Sequence, residues 1–229
     1  HKKNEIASAS NDKTVRIWDI ENEKEIIKLE GHNDQVYTLS FNPHNKNELA
    51  SSGRDEFIII WNIQNSNQIK KIENNERVTF ILFDPHNENQ ILSGGFDNEI
   101  KIWDFKKGII LKKLVGHQSS IQHFCFNPFN KNEIASASRD KKIIIWDLEN
   151  QKQIKKMEVH TDQIICVSFN PHKVNQLVSC GADKTIIVWN IFDSTFKKLE
   201  SHGNWVYSLS FDPHHQNIFI SGSGDKTIK

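Results

Sequence analysis

The sequence predicts an all-β protein built from repeated four-stranded antiparallel sheets, and three observations predict it. Tryptophan recurs at Trp18, Trp61, Trp103, Trp146 and Trp189, at intervals of 43, 42, 43 and 43 residues, and a fixed period of this size marks a repeat architecture. Each tryptophan follows an aspartate by six residues (Asp12, Asp55, Asp97, Asp140, Asp183), and Asp225 opens a sixth copy. Serine stands four residues before each of these aspartates, at Ser8, Ser51, Ser93, Ser136, Ser179 and Ser221.

Within one period the elements follow in order. Val36 to Phe41, Glu48 to Ser52, Phe57 to Trp61 and Gln68 to Ile72 alternate or run apolar over strand length, and none carries a helical period. Turn formers separate them: Asn42-Pro43-His44-Asn45, then Gly53-Arg54-Asp55-Glu56, then Asn65-Ser66-Asn67. A Phe-Asn-Pro or Phe-Asp-Pro series closes the first strand of each copy at Phe41, Phe83, Phe126, Phe169 and Phe211. Nine residues before each of these phenylalanines stands His32, Asn74, His117, His160 or His202.

Composition narrows the function classes. Over 229 residues Lys plus Arg equal Asp plus Glu at 29 each, so no net basic field draws the chain to nucleic acid or an anionic membrane. The longest apolar runs, such as Phe57 to Trp61, fall far below the roughly 18 residues a membrane span needs. The first residues lack the apolar core of a signal peptide and no Asn-x-Ser/Thr sequon occurs. Three scattered cysteines, Cys125, Cys166 and Cys180, read as buried reduced thiols, and together these features predict an intracellular protein, cytoplasmic or nuclear.

Gly31-His32, Leu49-Ala50-Ser51-Ser52-Gly53 and the closing pairs Trp18-Asp19, Trp61-Asn62, Trp103-Asp104, Trp146-Asp147 and Trp189-Asn190 resemble the WD-repeat (WD40) family along the whole chain. The resemblance implies a β-propeller, each unit supplying the outer strand of one blade and the inner three of the next. It also implies a hydrogen-bonded set inside each blade, which maps onto His32, Ser51, Asp55 and Trp61; onto His117, Ser136, Asp140 and Trp146; and onto His160, Ser179, Asp183 and Trp189. A serine, histidine and aspartate together suggest a hydrolase triad, but a set that repeats in every blade is a structural device. Glu73-Asn74 replaces Gly-His in one unit. That blade is expected to be softer, and Asn74→His to raise its melting temperature.

His1-Lys2-Lys3-Asn4-Glu5 aligns with His44-Asn45-Lys46-Asn47-Glu48. The chain is therefore expected to be one propeller domain, residues 1–229, with four complete four-stranded blades and partial blades at both ends. Repeats lie near 31–73, 74–115, 116–158 and 159–199, with fragments 1–30 and 200–229. This is a truncated ring from a propeller of about seven blades by analogy with the family.

Binding surfaces on repeat scaffolds are set by residues that vary between copies. The position three after the histidine carries Gln35, Arg77, Ser120, Gln163 and Trp205; the position before the turn aspartate carries Asn11, Arg54, Phe96, Arg139, Ala182 and Gly224. Trp205, Arg77, Phe96, Arg54 and Arg139, with Gln35 and Gln163, are the candidate partner-binding residues, since aromatic and arginine side chains dominate interface hot spots. The histidines that follow proline, His44, His86, His172 and His214 with His215, are one per loop and too scattered for a metal site. Gly222 to Thr227 reads as a hairpin turn, because Asp-Lys-Thr also occurs at Asp12 and Asp183. No cofactor, metal or small-molecule substrate is expected.

The function expected is a non-enzymatic scaffold or adaptor that holds other proteins on one propeller face. A substrate receptor of a ubiquitin ligase is the alternative; it would be favoured by arginine two residues after Trp-Asp, where this chain has Glu21, Gln64, Lys106, Glu149 and Phe192. An enzymatic or RNA-binding propeller is disfavoured by neutral charge and by polar constellations that all repeat with the blades.

Overall fold

A computed structural model describes residues 4–200 and 202–229; His1, Lys2 and Lys3 of the aligned opening loop, and Ser201, lie outside the described residues. Among the described residues every regular element is a strand, so no helix is long and apolar enough to cross a membrane. The chain falls into two compact units, His1–Lys113 and Leu114–Lys229.

In the first unit, β1 (Glu5–Ala9), β2 (Thr14–Asp19) and β3 (Lys24–Glu30) form a three-stranded sheet. The next sheet is four-stranded: β4 (Val36–Phe41), β5 (Glu48–Gly53), β6 (Phe57–Asn62) and β7 (Asn67–Glu73). So is the third, with β8 (Val78–Phe83), β9 (Gln90–Gly95), β10 (Glu99–Asp104) and β11 (Ile109–Val115), the last strand running across the boundary between units. The second unit continues with β12 (Ile121–Asn127), β13 (Asn130–Ser138), β14 (Ile143–Asp147) and β15 (Lys152–Met157), then β16 (Ile164–Phe169), β17 (Gln176–Gly181), β18 (Thr185–Asn190) and β19 (Phe196–Glu200). It ends with β20 (Val206–Phe211) and β21 (Phe219–Ser223), extended by a bridge from Gly222 to Ile228. Every named pair within these sheets is antiparallel and sequential. Four four-stranded sheets flanked by a three-stranded and a two-stranded one match the expected blade pattern, each predicted strand of the 31–73 copy lying within one residue of its observed bounds.

Apolar runs become strands buried on both faces, because successive side chains point to opposite sides of a sheet. On β6, Ile58 and Ile60 enter the core with Ile81, Phe83, Ile91 and Trp103, while Ile59 and Trp61 enter the opposite core with Val15, Ile17 and Leu29. In the second unit Leu177, Ile187 and Trp189 pack with Ala135, Ile143 and Ile145, whereas Val178, Cys180 and Ile186 face Val206. This sandwiching explains runs such as Phe57 to Trp61 that show no alternation. Inner strands of neighbouring sheets also share polar bonds: Ile81 N–H donates to Thr38 Oγ1 at 3.2 Å and Phe83 N–H to Ser40 Oγ at 3.1 Å.

Candidate functional site

Each blade is built around one polar chain. In the β4–β7 sheet His32 Nδ1 lies 2.8 Å from Asp55 Oδ2 and Nε2 2.7 Å from Ser51 Oγ, and the Trp61 indole N–H donates to the same Ser51 Oγ at 2.7 Å. The structure brings His117, Asp140, Ser136 and Trp146 together at 2.7, 2.8 and 2.7 Å, and His160, Asp183, Ser179 and Trp189 at 2.8, 2.7 and 2.8 Å. His202, Asp225 and Ser221 repeat the first two links at 2.9 and 2.8 Å. Ser51, Ser136 and Ser179 are each 0 % exposed, sealed beneath an indole, where no substrate carbonyl reaches them.

The aspartates close the turn as well. Asp183 accepts from Thr161 N–H at 3.1 Å and from Thr185 Oγ1 at 2.8 Å. Burial pushes the Asp183 carboxyl up, but the hydrogen bond from His160, that ring's charge and the Thr185 hydroxyl outweigh it and bring the group down to about 2. Burial likewise opposes, and the bonds from His32 and His117 overcome, the same balance at Asp55 and Asp140, which are also lowered.

The β8–β11 blade is built differently. It lacks the imidazole, yet the polar chain is rebuilt by Lys101, which is 7 % exposed. Its ammonium bonds Asp97 Oδ2 at 2.7 Å, Asn74 O at 3.1 Å and Asn74 Oδ1 at 3.2 Å, and lies 5.9 Å from the Trp103 ring centroid. Trp103 still donates to Ser93 Oγ at 2.8 Å. The lysine occupies the strand position of Ile59, Ile144 and Ile187, so the aspartate's partner enters from the sheet instead of from the preceding loop. The first sheet uses the same position: Arg16 pairs with Asp12 at 3.0 Å.

The two variable positions turn out to be backbone partners. Arg54 N–H donates to Gln35 O at 2.8 Å, Phe96 to Arg77 at 3.0 Å, Arg139 to Ser120 at 3.0 Å, Ala182 to Gln163 at 2.9 Å and Gly224 to Trp205 at 2.9 Å. The contact is so close that a Cβ at Gly53 or Gly95 would stand 2.0 Å from the Gln35 or Arg77 carbonyl oxygen, and one at Gly181 2.3 Å from that of Gln163. Two of these pairs, Gln35 with Arg54 and Arg77 with Phe96, carry side chains that are at least partly exposed on both members, whereas Ser120 and Ala182 are buried and Gly224 has no side chain. In the first unit the Arg77 guanidinium lies 5.7 Å from the centroid of Phe96, which is 38 % exposed, and Arg54 Nε lies 3.5 Å from Asp34 Oδ2. In the second, Trp205, 40 % exposed, tilts against Tyr207 with centroids 6.3 Å apart.

Sequence reasoning missed this pairing, Lys101 and the post-proline histidines' task. His44 Nε2 lies 3.0 Å from Asp84 O in the first unit, and His172 Nε2 3.0 Å from Asp212 O in the second, each tying its loop to the next sheet. The even spacing of these histidines was the available signal. Among the described residues no three His, Cys, Asp or Glu side chains come together as metal ligands.

Sequential four-stranded sheets, each locking a buried tryptophan to a serine and a histidine or lysine to a turn aspartate, define a protein of propeller blades. The model of the WD domain, G-beta repeat, matches residues 2–19, 23–62, 66–104, 108–147, 151–190 and 194–229. The chain belongs to the WD-repeat family. It is also similar to Coronin-7 of Mus musculus, 50 % identical over 38 residues, and of Homo sapiens, 48 % over 40 residues. Those segments cover 17 % and 18 % of this chain and 4 % of each relative, so the chain matches only a small part of the relatives' length.

Proposed function

We propose that this chain is an interaction scaffold that holds peptide segments or subunits of a multiprotein complex against the blade ends carrying Gln35, Arg54, Arg77, Phe96, Arg139, Gln163 and Trp205. The carrying observation is the backbone pairing of the two variable positions in five successive sheets. The blade frame beneath them is nearly constant, while the paired side chains change from copy to copy. That is the division of labour a recognition surface needs: rigid strands fix the geometry, and loop-end residues supply specificity. The residues concerned include an exposed tryptophan, an exposed phenylalanine and three arginines, which are hot-spot types. No bond is made or broken in this reading; the one repeated acid-base constellation is sealed under the indoles. The ubiquitin-ligase variant lacks support in the residues after each Trp-Asp or Trp-Asn pair.

The test is quantitative affinity purification of the protein from its own cells, with Trp205→Ala and Arg77→Ala compared separately with wild type. A defined set of proteins is expected to be lost from one or both variants while the melting temperature is unchanged. Retention of every partner by both variants would overturn the chosen surface, and absence of any stable partner of the wild type would overturn the scaffold reading.

A further inference from the structure

The β16–β19 blade departs from the other copies at the end opposite the paired variable positions, in the loop after β16 and the turn after β18. Three blades close that end with one polar link: Asn4 Nδ2 donates to Glu21 Oε2 at 2.6 Å, Asn47 Nδ2 to Gln64 Oε1 at 3.2 Å and Asn132 Nδ2 to Glu149 Oε2 at 3.1 Å. The equivalent pair here is Asn175 and Phe192. A phenyl ring offers no acceptor, so the exposed Asn175 amide faces solvent. Val174 on the facing loop stands where other copies carry Lys46, Glu88, Lys131 and Gln216. Two polar positions have become apolar together, and both side chains are turned outward: Phe192 is 82 % exposed and Val174 62 %.

The turn that carries Phe192 is fixed. Ile191 packs against the core of Leu177, Ile187 and Trp189, and its N–H donates to Asn175 O at 2.7 Å. Phe192 N–H donates to Asn190 Oδ1 at 3.1 Å, and the Lys155 ammonium bonds Ile191 O and Phe192 O. A ring held in water by a rigid turn loses little conformational freedom when a partner covers it, and such preorganisation favours binding. Single exposed apolar side chains are ordinary, but Phe192 and Val174 wall one notch of about 280 Å³ together with Lys173, Asn175, Gln176 and Asn190. That volume is at the small end of ligand clefts, about 300–1,000 Å³, and suits one or two side chains of a peptide. None of the lining residues is acidic. Lys173 is exposed and forms no ion pair among the described residues. The nearby Asp193 carboxylate is engaged in its own turn, accepting from Thr195 N–H at 3.0 Å and Thr195 Oγ1 at 2.7 Å.

We infer that this notch is a second docking site, which takes an extended segment of a partner protein in which a leucine, isoleucine or phenylalanine stands beside an aspartate or glutamate. The apolar side chain enters between Val174 and Phe192 and drives association by leaving water. The carboxylate meets the Lys173 ammonium and accepts from the Asn175 amide, and these charge-assisted bonds fix the orientation. The blades of Glu21, Gln64 and Glu149 lack the site, because there the asparagine is already bonded and a polar side chain stands in place of the ring.

Selection of a phage-displayed library of random peptides on the folded chain, with the winners synthesised and titrated by fluorescence polarisation, tests the site. Winners are expected to carry an acidic residue next to a large apolar one. Phe192→Gln, which restores the arrangement of the Gln64 blade, is expected to weaken their binding at least about tenfold with an unchanged melting curve. Ile154→Gln, which removes another exposed apolar side chain of the second unit, is expected to leave affinity unchanged. Lys173→Glu is expected to weaken the acidic peptides several-fold and to tighten binding of the same peptides with lysine in place of the acid. No winners, winners without an acidic residue, or equal affinity for wild type and Phe192→Gln overturn the proposal. So does a wild-type dimer, seen by light scattering, that Phe192→Gln dissociates, since a second copy then fills the notch. Co-sedimentation with vesicles of phosphatidylcholine and phosphatidylserine that Phe192→Gln abolishes overturns it in favour of a lipid surface.

Discussion

At position 101 one side chain does the work that a histidine does elsewhere, and its energetics differ. Lys101 carries a full charge into a site where its side chain is 8 % and that of Asp97 14 % exposed. Removing one partner of a buried ion pair costs about 3–5 kcal/mol, because the other charge is left without compensation. Lys101→Met is therefore expected to lower stability by roughly that amount in a urea titration. Asn74→His alone is expected to destabilise, against the reading of the sequence, since the ring meets an ammonium already bonded to Asn74 Oδ1 and Asp97. The double variant Asn74→His/Lys101→Ile recreates the layout of the His32 and His117 blades and is expected to recover most of the loss. Independent, additive effects would sink this account. The histidine chain was legible because its members keep fixed spacing; Lys101 was not, because a lysine within Glu99-Ile100-Lys101-Ile102-Trp103 reads as the solvent face of an alternating strand. Only the packing of a second sheet on that face turns it into a buried cation.

The strands depend on turns whose backbone the repeats impose whatever residue stands there. Five equivalent positions in the turn after the tryptophan strand adopt the left-handed conformation: Glu23 (φ 52), Ser66 (φ 57), Gly108 (φ 76), Gln151 (φ 55) and Ser194 (φ 64). Glycine does so freely and asparagine with little strain, while other residues pay about 1–2 kcal/mol. Gln151→Asn is expected to stabilise by up to about 1 kcal/mol. Gly108→Ala is expected to destabilise by about as much, the added Cβ also standing 3.2 Å from Lys70 Cε. Chemical denaturation checks both, and an unchanged Gly108→Ala midpoint would remove turn strain from the account. A second series lies just after each turn aspartate, at Lys13, Glu56, Asn98, Lys141, Lys184 and Lys226. Strand positions and turn locations could be read from periodicity and turn formers. The conformation of these turns could not, since glutamate, glutamine and lysine carry no left-handed signal; it follows from the strand register that the turn must join. The outer strands β3, β7, β11 and β15 show a further device, pairing exposed Ile26, Ile69, Leu111 and Ile154 with lysines on either side or close by, which discourages edge-to-edge pairing of unrelated chains.

Across the molecule the turn aspartates titrate as a set, and this gives the chain its acid response. Asp55, Asp140, Asp183 and Asp225 are all held below the usual carboxylate value of 3.8, Asp183 at about 2. A carboxyl whose pKa is lower folded than unfolded binds fewer protons in the native state near that range, so it stabilises the fold above its unfolded value. For Asp183 that contribution is nearly complete above about pH 5 and drains as pH falls toward its folded value of about 2. Because the same carboxylate is repeated from blade to blade, the losses add in the same direction as pH falls. The melting temperature is expected to be nearly level from pH 7 to about 4.5 and to fall steeply between about 4 and 2. Asp183→Asn is expected to melt lower than wild type at pH 7 and to approach it at pH 2.5, because the variant has already lost what acid removes. Calorimetry across that range decides it: a wild-type curve that drops between pH 7 and 5 while the Asp183→Asn deficit stays constant down to pH 2.5 would place the acid response outside these networks. The repeat made the set of aspartates visible in the sequence; the depth of the Asp183 shift depended on bonds from His160, Thr185 and Thr161 that outweigh burial, and these exist only once the blade has folded.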